Sequence, residues 1–375
     1  MSTTKTAVRP RISNLDNLTL SRKEGWRDYV QGVPRTRPEQ LTKRKIHSLS
    51  EAAADMYNRR RTDWHNNLGP FNTPMLAGVH EALWDILDSN EQDGHRAKGA
   101  VAIDGYPGLG KTCAAEEFAK QFHRREIDRY GEYTQAGDER WPVCRIGMRG
   151  NTSMKDFNGA MCDFYAHPGR GTAEQLGKWA LDCVLGCETR LLIIDDVHFL
   201  HWQHHGGVEI SNHFKYIANE FPVTLLLIGV GLGERGVLMD GDSYEDTILA
   251  QTMRRTTMLD MRPYAINTER ARSQWHTLLN TIEERLILAG KRPGILTDES
   301  DYLFIRSTGH IGSIMELIRR GCAKAIRTHI ETLSRELLDT IRIDSAAERA
   351  AAELEAAFRT RRLTTRLKDR PPAPR

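Results

Sequence analysis

Short apolar runs alternate with longer amphipathic stretches through the middle of the chain. Four of these runs predict buried strands, at residues 99–105, 141–148, 191–196 and 223–231. Between them, the apolar positions recur at helical spacing, as at 113–127 and 209–221. Strands that alternate with helices favour a parallel sheet, so we expect an α/β fold. A further strand-like segment occurs at 251–264, after which the strand signals stop.

The ends of the chain follow other patterns. Residues 1–45 are polar and interrupted by prolines, which predicts an extended arm. Residues 46–68 predict a helix that begins at Ser48 or Ser50, and residues 73–90 carry apolar side chains at helical spacing. From residue 267 to 345 the pattern is helical throughout, which indicates a smaller all-helical domain.

Charge is unevenly distributed along the chain. The net charge is +3, but residues 1–46 carry a net of +7 and residues 359–375 a net of +6, which leaves −10 for the middle. Basic ends on an acidic body suit a polyanionic partner, most often nucleic acid. The alternative is that both ends are simply solvated, disordered termini.

Several classes of protein are disfavoured by the sequence. The first fifteen residues lack the apolar core of a signal peptide, and the longest apolar stretch, residues 223–232, is too short to span a bilayer. The six cysteines form no C-x-x-C pair, which is typical of reduced thiols. We therefore expect a cytoplasmic protein without a membrane partner.

A glycine-rich motif follows the first predicted strand. The sequence GYPGLGKT at residues 105–112 matches G-x-x-x-x-G-K-[ST] and precedes a predicted helix, as the motif requires. Such a turn points backbone N–H groups at phosphate oxygens, Lys111 would reach the β- and γ-phosphates, and the Thr112 hydroxyl would bind Mg²⁺. We predict an ATP–Mg²⁺ site whose nucleotide-binding residues are Gly105, Pro107, Gly108, Gly110, Lys111, Thr112 and Cys113.

These patterns divide the chain into four expected parts. They are a basic N-terminal arm and helix at 1–70, an α/β nucleotide-binding domain at 71–264, a helical lid domain at 265–345 and a basic flexible C-terminal tail at 346–375.

Two aspartates end the third predicted strand. Ligands bind at the carboxyl edge of an open parallel sheet, so we expect Asp195 to hold Mg²⁺ through water, beside Thr112. Asp196 stands where ATPases of this kind usually carry a glutamate that orients the attacking water. Its side chain is one methylene shorter than that of glutamate. It could still orient a slightly shifted water, or it could only cap the next turn.

Two further clusters of side chains could carry chemistry. Five histidines follow the third strand: His198, His201, His204, His205 and His213. They could bind zinc, but no cysteine or close carboxylate completes a tetrahedral set. We therefore expect packed or exposed histidines without a metal.

Two adjacent arginines, Arg254 and Arg255, precede the last strand-like segment. An arginine supplied to a neighbouring subunit's γ-phosphate would stabilise the transition state, and a surface ion pair is the alternative.

With these motifs in place, the chain resembles the AAA+ ATPases of transposition, the TniB/TnsC family, and more distantly the phage protein MuB. The resemblance covers residues 70–335 and rests on the motifs GYPGLGKT, LLIIDDVHFL, NHFKYIANEF, LLLIGVG, MRRTTMLDMRPY and TGHIGSIMELIRRGCAKAI. It implies the AAA+ P-loop fold, a parallel sheet with a smaller helical lid. It also implies an ATP-dependent homo-oligomer, a ring or helical filament on double-stranded DNA, that recruits or activates a DDE-type transposase.

The resemblance also implies roles for individual residues. Lys111 and Thr112 would bind ATP–Mg²⁺, Asp195 would hold the metal, and Arg255 would be the arginine finger, with Arg254 as the alternative. DNA contacts would come from loops after the second strand and before the third, at Arg149, Lys155, Arg170 and Thr172. Such contacts would go to phosphates with little sequence preference. Ordinary basic loops are the alternative.

Three departures from the family pattern suggest slow hydrolysis. Asp196 replaces the usual glutamate, the fourth strand shows no Asn or Thr sensor, and Gly312 and Ser313 stand where many AAA+ proteins carry a sensing arginine. We expect a slow ATPase. Two other functions stay open: a helicase-loader-type or initiator-type AAA+ ATPase, and a nucleotide-gated signalling switch whose arms bind protein.

Overall fold

The computed structural model describes residues 19–92, 98–149, 152–197, 216–217, 220–232, 256–360 and 362–367. The chain divides into two compact units and passes between them several times. The first unit comprises residues 1–33, 83–104 and 115–259. The second comprises residues 34–82, 105–114 and 260–375.

The first unit is built on a five-stranded sheet with the order β2-β3-β4-β1-β5. Its strands are β1 (Ala100–Asp104), β2 (Val143–Gly147), β3 (Leu191–Asp195), β4 (Thr224–Ile228) and β5 (Thr256–Asp260). β4 pairs in parallel with β1 and β3, and β3 pairs in parallel with β2. The strands β1, β3 and β4 are buried along their whole length, as expected for central strands of a parallel sheet. The predicted parallel α/β core is confirmed.

Twelve helices lie in the described residues, numbered here in chain order. They are α1 (Lys23–Gln31), α2 (Lys43–His47), α3 (Glu51–Asn66), α4 (Pro74–Ser89), α5 (Lys111–Tyr130), α6 (Met154–Phe164), α7 (Ala173–Gly186), α8 (Glu269–Arg285), α9 (Ser300–Ser307), α10 (Ile311–Arg327), α11 (Arg335–Asp339) and α12 (Ser345–Arg359). Helix α3 begins after Ser50, whose side chain accepts the Ala53 N–H, so the expected cap at Ser50 is confirmed. None of the described helices is both long enough and apolar enough to cross a membrane.

Helix α1 differs from the expectation of an extended arm over residues 1–45. Trp26 on this helix is fully buried in the first unit, and its indole N–H donates to Nδ1 of His123 at 3.2 Å. The Arg27 guanidinium lies 4.9 Å from the centre of the Trp141 ring. The burial of Trp26 therefore holds this short polar segment against the first unit.

The core of the second unit lies among its helices. Trp275 and Leu279 of α8 pack with Leu317 of α10 in a continuous apolar cluster. In the same unit, Arg61 of α3 forms a bidentate ion pair with Glu331, with both distances at 2.5 Å and both side chains buried. A buried charge is tolerated only when it is paired and hydrogen-bonded, so this pair fixes α3 in the unit.

The C-terminal segment also differs from the expectation of a flexible tail over residues 346–375. Residues 345–359 form α12, which is capped by Asp344 through the Ala347 N–H. Beyond it, Thr365 is buried, its N–H donates to Asp301 at 2.7 Å and its carbonyl contacts Nε2 of His276 at 2.9 Å. The alanine-rich helix and this anchor position the chain before the basic end.

Candidate nucleotide-binding site

The glycine-rich loop follows β1, leads into α5 and belongs to the second unit. Gly105, Gly108 and Gly110 all have positive φ, at 148°, 78° and 84°. A Cβ atom on Gly105 would overlap the carbonyl oxygen of Met261, so a larger residue is excluded there. The loop thus has the tight turns that the motif predicts.

Lys111 is the first residue of α5 and is buried. Its Nζ donates to the carbonyl oxygens of Gly105 at 2.7 Å and of Tyr106 at 2.8 Å. The ammonium group therefore lies inside the curve of the loop, where a phosphate group could replace these carbonyls as its partner. Thr112 follows Lys111 in the same helical turn, and Pro107 lies between the positive-φ glycines.

A pocket of about 220 Å³ lies beside this loop, within the second unit. Its apolar lining comes from three parts of the chain: Leu68, Phe71 and Met75 before and within α4, Leu109 in the loop, and Ile311 and Met315 on α10. Cys113 also lines the pocket. A largely apolar cavity next to a phosphate-binding loop suits a nucleobase. Leu68 and Phe71 lie before α4 and outside the motif GYPGLGKT, so the motif does not identify them as part of the site.

The start of α10 touches the glycine-rich loop directly. The Gly312 N–H donates to the Gly108 carbonyl oxygen at 2.8 Å. A Cβ atom at position 312 would lie only 2.8 Å from that oxygen and 3.1 Å from the Gly108 Cα. A side chain at position 312 would therefore crowd the backbone of the glycine-rich loop.

Asp195 lies at the carboxyl end of β3 in the first unit and is buried. One carboxylate oxygen accepts from Arg145 of β2 at 2.8 Å, and the other accepts the Asp196 N–H at 2.9 Å. Arg145 also pairs with Glu116 of α5 at 3.1 Å. Burial raises the pKa of Glu116, the Arg145 guanidinium opposes that rise, and the Asp195 carboxylate adds to it.

Neither Arg145 nor Glu116 belongs to a recognisable sequence motif, so motif analysis does not identify them as site residues. One signal was available, since Arg145 is the only charged residue in the strand VCRIG. A lone arginine in a mostly buried strand requires a carboxylate partner nearby.

Asp196 adopts a left-handed backbone conformation with φ of 60°, and the residue is exposed. A non-glycine residue in this region is uncommon and often marks a functional turn. Two roles for Asp196 therefore stay predictions: the orientation of an attacking water and the capping of the next turn.

The four predicted DNA-binding residues do not lie in one element. Lys155 is in the first turn of α6, Arg149 precedes that helix, and Arg170 precedes α7. Thr172 caps α7, since its hydroxyl accepts the Gln175 N–H while the Gln175 side chain accepts from Thr172. The structure thus gives Thr172 a local structural role, and its contact with DNA stays a prediction.

Several other predicted residues lie outside the described residues. They are Arg254, Arg255 and the histidines His198, His201, His204, His205 and His213.

Comparisons with known proteins support a nucleotide-binding domain in this part of the chain. A family model described as an AAA domain matches residues 94–238, which include the glycine-rich loop and Asp195. A search of curated proteins finds no match.

Solved structures show the same fold at low sequence identity. The Aeropyrum pernix Orc1 protein in complex with DNA is 17% identical, with a TM-score of 0.53 over 77% of this chain and 67% of that one. The Aeropyrum pernix Orc2 protein in its ADPNP–ADP complexes is 17% identical, with a TM-score of 0.51 over 80% and 72%. Cdc6p from Pyrobaculum aerophilum is 14% identical, with a TM-score of 0.50 over 77% and 82%. Residues 94–238 are therefore similar to an AAA domain, and the chain has the AAA+ P-loop fold.

Proposed function

We propose that this protein is an ATP-dependent, DNA-binding AAA+ ATPase of the initiator type that acts as a homo-oligomer. The observation that carries the nucleotide part is the glycine-rich loop with buried Lys111, bordered by an apolar pocket and by α10. Phosphates would bind at the loop and the base in the pocket. This arrangement joins the nucleotide to the helices of the second unit, so a change of nucleotide can change the position of α10.

The residues present suit Mg²⁺. The Thr112 hydroxyl and the Asp195 carboxylate are oxygen donors, which Mg²⁺ prefers. Among the described residues, no group of three or more His, Cys, Asp or Glu side chains is placed to hold a metal. Mg²⁺ commonly takes its other ligands from substrate phosphates and water, and nucleotide phosphates would supply them here. When bound, Mg²⁺ would neutralise charge on the phosphates.

The chain's own groups would then carry the rest of the reaction. Lys111 would bind the β- and γ-phosphates, and Asp196 would orient the attacking water. Arg255, or Arg254 in its place, would reach the nucleotide of a neighbouring copy as an arginine finger. Hydrolysis would be slow because Asp196 is one methylene shorter than the usual glutamate.

The DNA part rests on charge and on the fold. The Aeropyrum pernix Orc1 protein, which shares this fold, was solved in complex with DNA. In this chain, both ends are basic, and Arg149, Lys155 and Arg170 add cations on the first unit. These groups would bind phosphates of duplex DNA with little sequence preference.

The transposition regulator predicted from the sequence resemblance is the second candidate. Its motifs include TGHIGSIMELI, which covers the Gly312 contact with the glycine-rich loop. The structural comparisons favour the initiator type over this candidate, and a DDE-type transposase partner rests on the sequence resemblance alone.

The first experiment is negative-stain imaging with duplex DNA in ATP, ADP or a slowly hydrolysed analogue. ATP-dependent assemblies on DNA would support the proposal, and their absence in every nucleotide state would contradict it. Long continuous filaments that stimulate a transposase from a neighbouring gene would favour the second candidate, whereas loading of a helicase would favour the initiator type. A signalling switch predicts that DNA leaves the ATPase rate unchanged.

Two variants test the assignment of residues. Lys111→Ala should abolish tight nucleotide binding, measured with a fluorescent ATP analogue. Arg149→Ala combined with Lys155→Ala should weaken DNA binding and its salt dependence. Lys178→Ala is the matched control, because Lys178 is an exposed lysine of α7 paired with Glu174.

A further inference from the structure

Arg145 joins three separate parts of the first unit through one guanidinium group. One nitrogen lies 2.8 Å from the Asp195 carboxylate and 3.1 Å from the Glu116 carboxylate. The other terminal nitrogen donates to the Ser21 hydroxyl at 3.0 Å. The three charged side chains are mostly buried, with 15% of Arg145, 6% of Asp195 and 17% of Glu116 exposed. Their interaction is therefore only weakly screened by water.

Strand register makes this geometry possible. Gly147 pairs with Asp195, and Arg145 lies two residues before Gly147 on the same face of β2. The guanidinium extends alongside Gly147 to Asp195, and a Cβ at Gly147 would lie 3.4 Å from an Arg145 nitrogen, an ordinary van der Waals distance.

The two carboxylates share the guanidinium as a common partner. Together the three side chains carry a net charge of −1. A divalent cation at Asp195 would change that net to +1 and would repel the guanidinium. Glu116 already contacts the same nitrogen, so it can retain Arg145 after the contact with Asp195 is lost.

We propose that Arg145 competes with magnesium for the Asp195 carboxylate, and that Glu116 retains the guanidinium when Asp195 turns to the metal. The inference rests on the proposed function, which assigns Asp195 to the metal. Arg145 is a positioning residue, because it acts through Asp195.

Ser21 extends this control to the N-terminal segment. It lies two residues before α1, the helix whose Trp26 is buried against His123. Docking of α1 therefore holds the hydroxyl that supports Arg145. Loss of the Ser21 hydroxyl would therefore loosen the guanidinium and change the magnesium requirement of the proposed site.

The test is the Mg²⁺ concentration at which a fluorescent ATP analogue half-saturates the full-length protein. Arg145→Met should lower this concentration by about tenfold, the size expected for the loss of one charge-assisted hydrogen bond. Glu116→Gln should raise it, because Asp195 is then the one charged partner that the guanidinium keeps among the described residues. Ser21→Ala should shift it in the same direction as Arg145→Met, but less. Mn²⁺ binding followed by electron paramagnetic resonance should give the same order.

Arg190→Met is the matched control. Arg190 immediately precedes β3 and pairs with buried Glu126 at 2.6 Å, at the opposite end of the strand from Asp195. This variant should lower stability without changing the Mg²⁺ requirement. Thermal unfolding of each variant identifies any that fails to fold, and Arg145→Lys then replaces Arg145→Met, with a smaller shift in the same direction.

Opposite shifts for Arg145→Met and Glu116→Gln would support the inference. If Arg145 were only structural, both variants would require more Mg²⁺, and that result would overturn it, as would the absence of any shift. Failure of the wild-type protein to bind the analogue at any Mg²⁺ concentration would instead contradict the proposed function, and the two failures are therefore distinguishable.

Discussion

The contact between α10 and the glycine-rich loop can be disturbed by a single methyl group. In Gly312→Ala, the new Cβ would lie 2.8 Å from the Gly108 carbonyl oxygen and 3.1 Å from its Cα. To reach an ordinary van der Waals separation, the start of α10 must retreat from the loop by roughly half an ångström or more. Neither atom can move easily, because both belong to the backbone of the turn that would bind phosphate.

The free-energy cost follows from this displacement. Crowding a packed contact costs about 1–3 kcal/mol, and weakening the Gly312–Gly108 hydrogen bond costs about 0.5–1.5 kcal/mol. Alanine in a helix recovers up to about 1 kcal/mol relative to glycine. We expect Gly312→Ala to lower the free energy of unfolding by about 1–3 kcal/mol and to weaken nucleotide binding by on the order of tenfold.

Gly78→Ala is the matched control. Gly78 lies within α4, and a Cβ there would meet no atom within 4 Å. The same chemical change should therefore stabilise the protein by up to about 1 kcal/mol through helix propensity alone and leave nucleotide affinity unchanged. Urea unfolding and titration with a fluorescent ATP analogue measure the two quantities for both variants.

Wild-type nucleotide affinity in a folded Gly312→Ala protein would refute this coupling between α10 and the loop. An equal loss of affinity in Gly78→Ala would refute it as well, because the effect would then not come from the contact with the loop.

Three further predictions concern stability. Glu331→Ala should lower the free energy of unfolding by about 3–5 kcal/mol in urea titration, because it leaves the buried Arg61 guanidinium without its carboxylate partner; a loss below about 1 kcal/mol would contradict the buried pair. Trp26→Ala should cost about 3–5 kcal/mol, and unchanged thermal unfolding would show that α1 is not docked. Burial lowers the pKa of His65 and of His123 to about 4, below the value near 6.5 that each has when unfolded, so the unfolded state gains protons first as pH falls. Stability should therefore decrease between pH 6.5 and 4, by roughly 3 kcal/mol for each histidine, and calorimetry showing a flat profile across this range would be inconsistent with neutral buried histidines.

Features with a short-range cause could be predicted from the sequence. The strands β1, β3 and β4 are runs of mostly aliphatic residues because both faces of a central strand are buried. The glycine-rich loop depends on glycine φ angles and on a lysine and a threonine at fixed spacing, so a window of eight residues identifies it.

The tertiary structure decided the rest, because long-range contacts leave no periodic signal in the sequence. Trp26 made helix α1 part of the first unit, although the pattern of its segment predicted an extended arm. The cluster around Asp195 joins positions 116, 145 and 195, which only the pairing of β2 with β3 and the packing of α5 bring together. Likewise, residues before α4 line the pocket beside the glycine-rich loop because the fold of the second unit brings them together with that loop and α10. The sequence alone thus determined which local elements form and where phosphate would bind. The partners of each buried charge depended instead on which distant segments the fold brought into contact, because a buried charge is stable only beside its counter-charge.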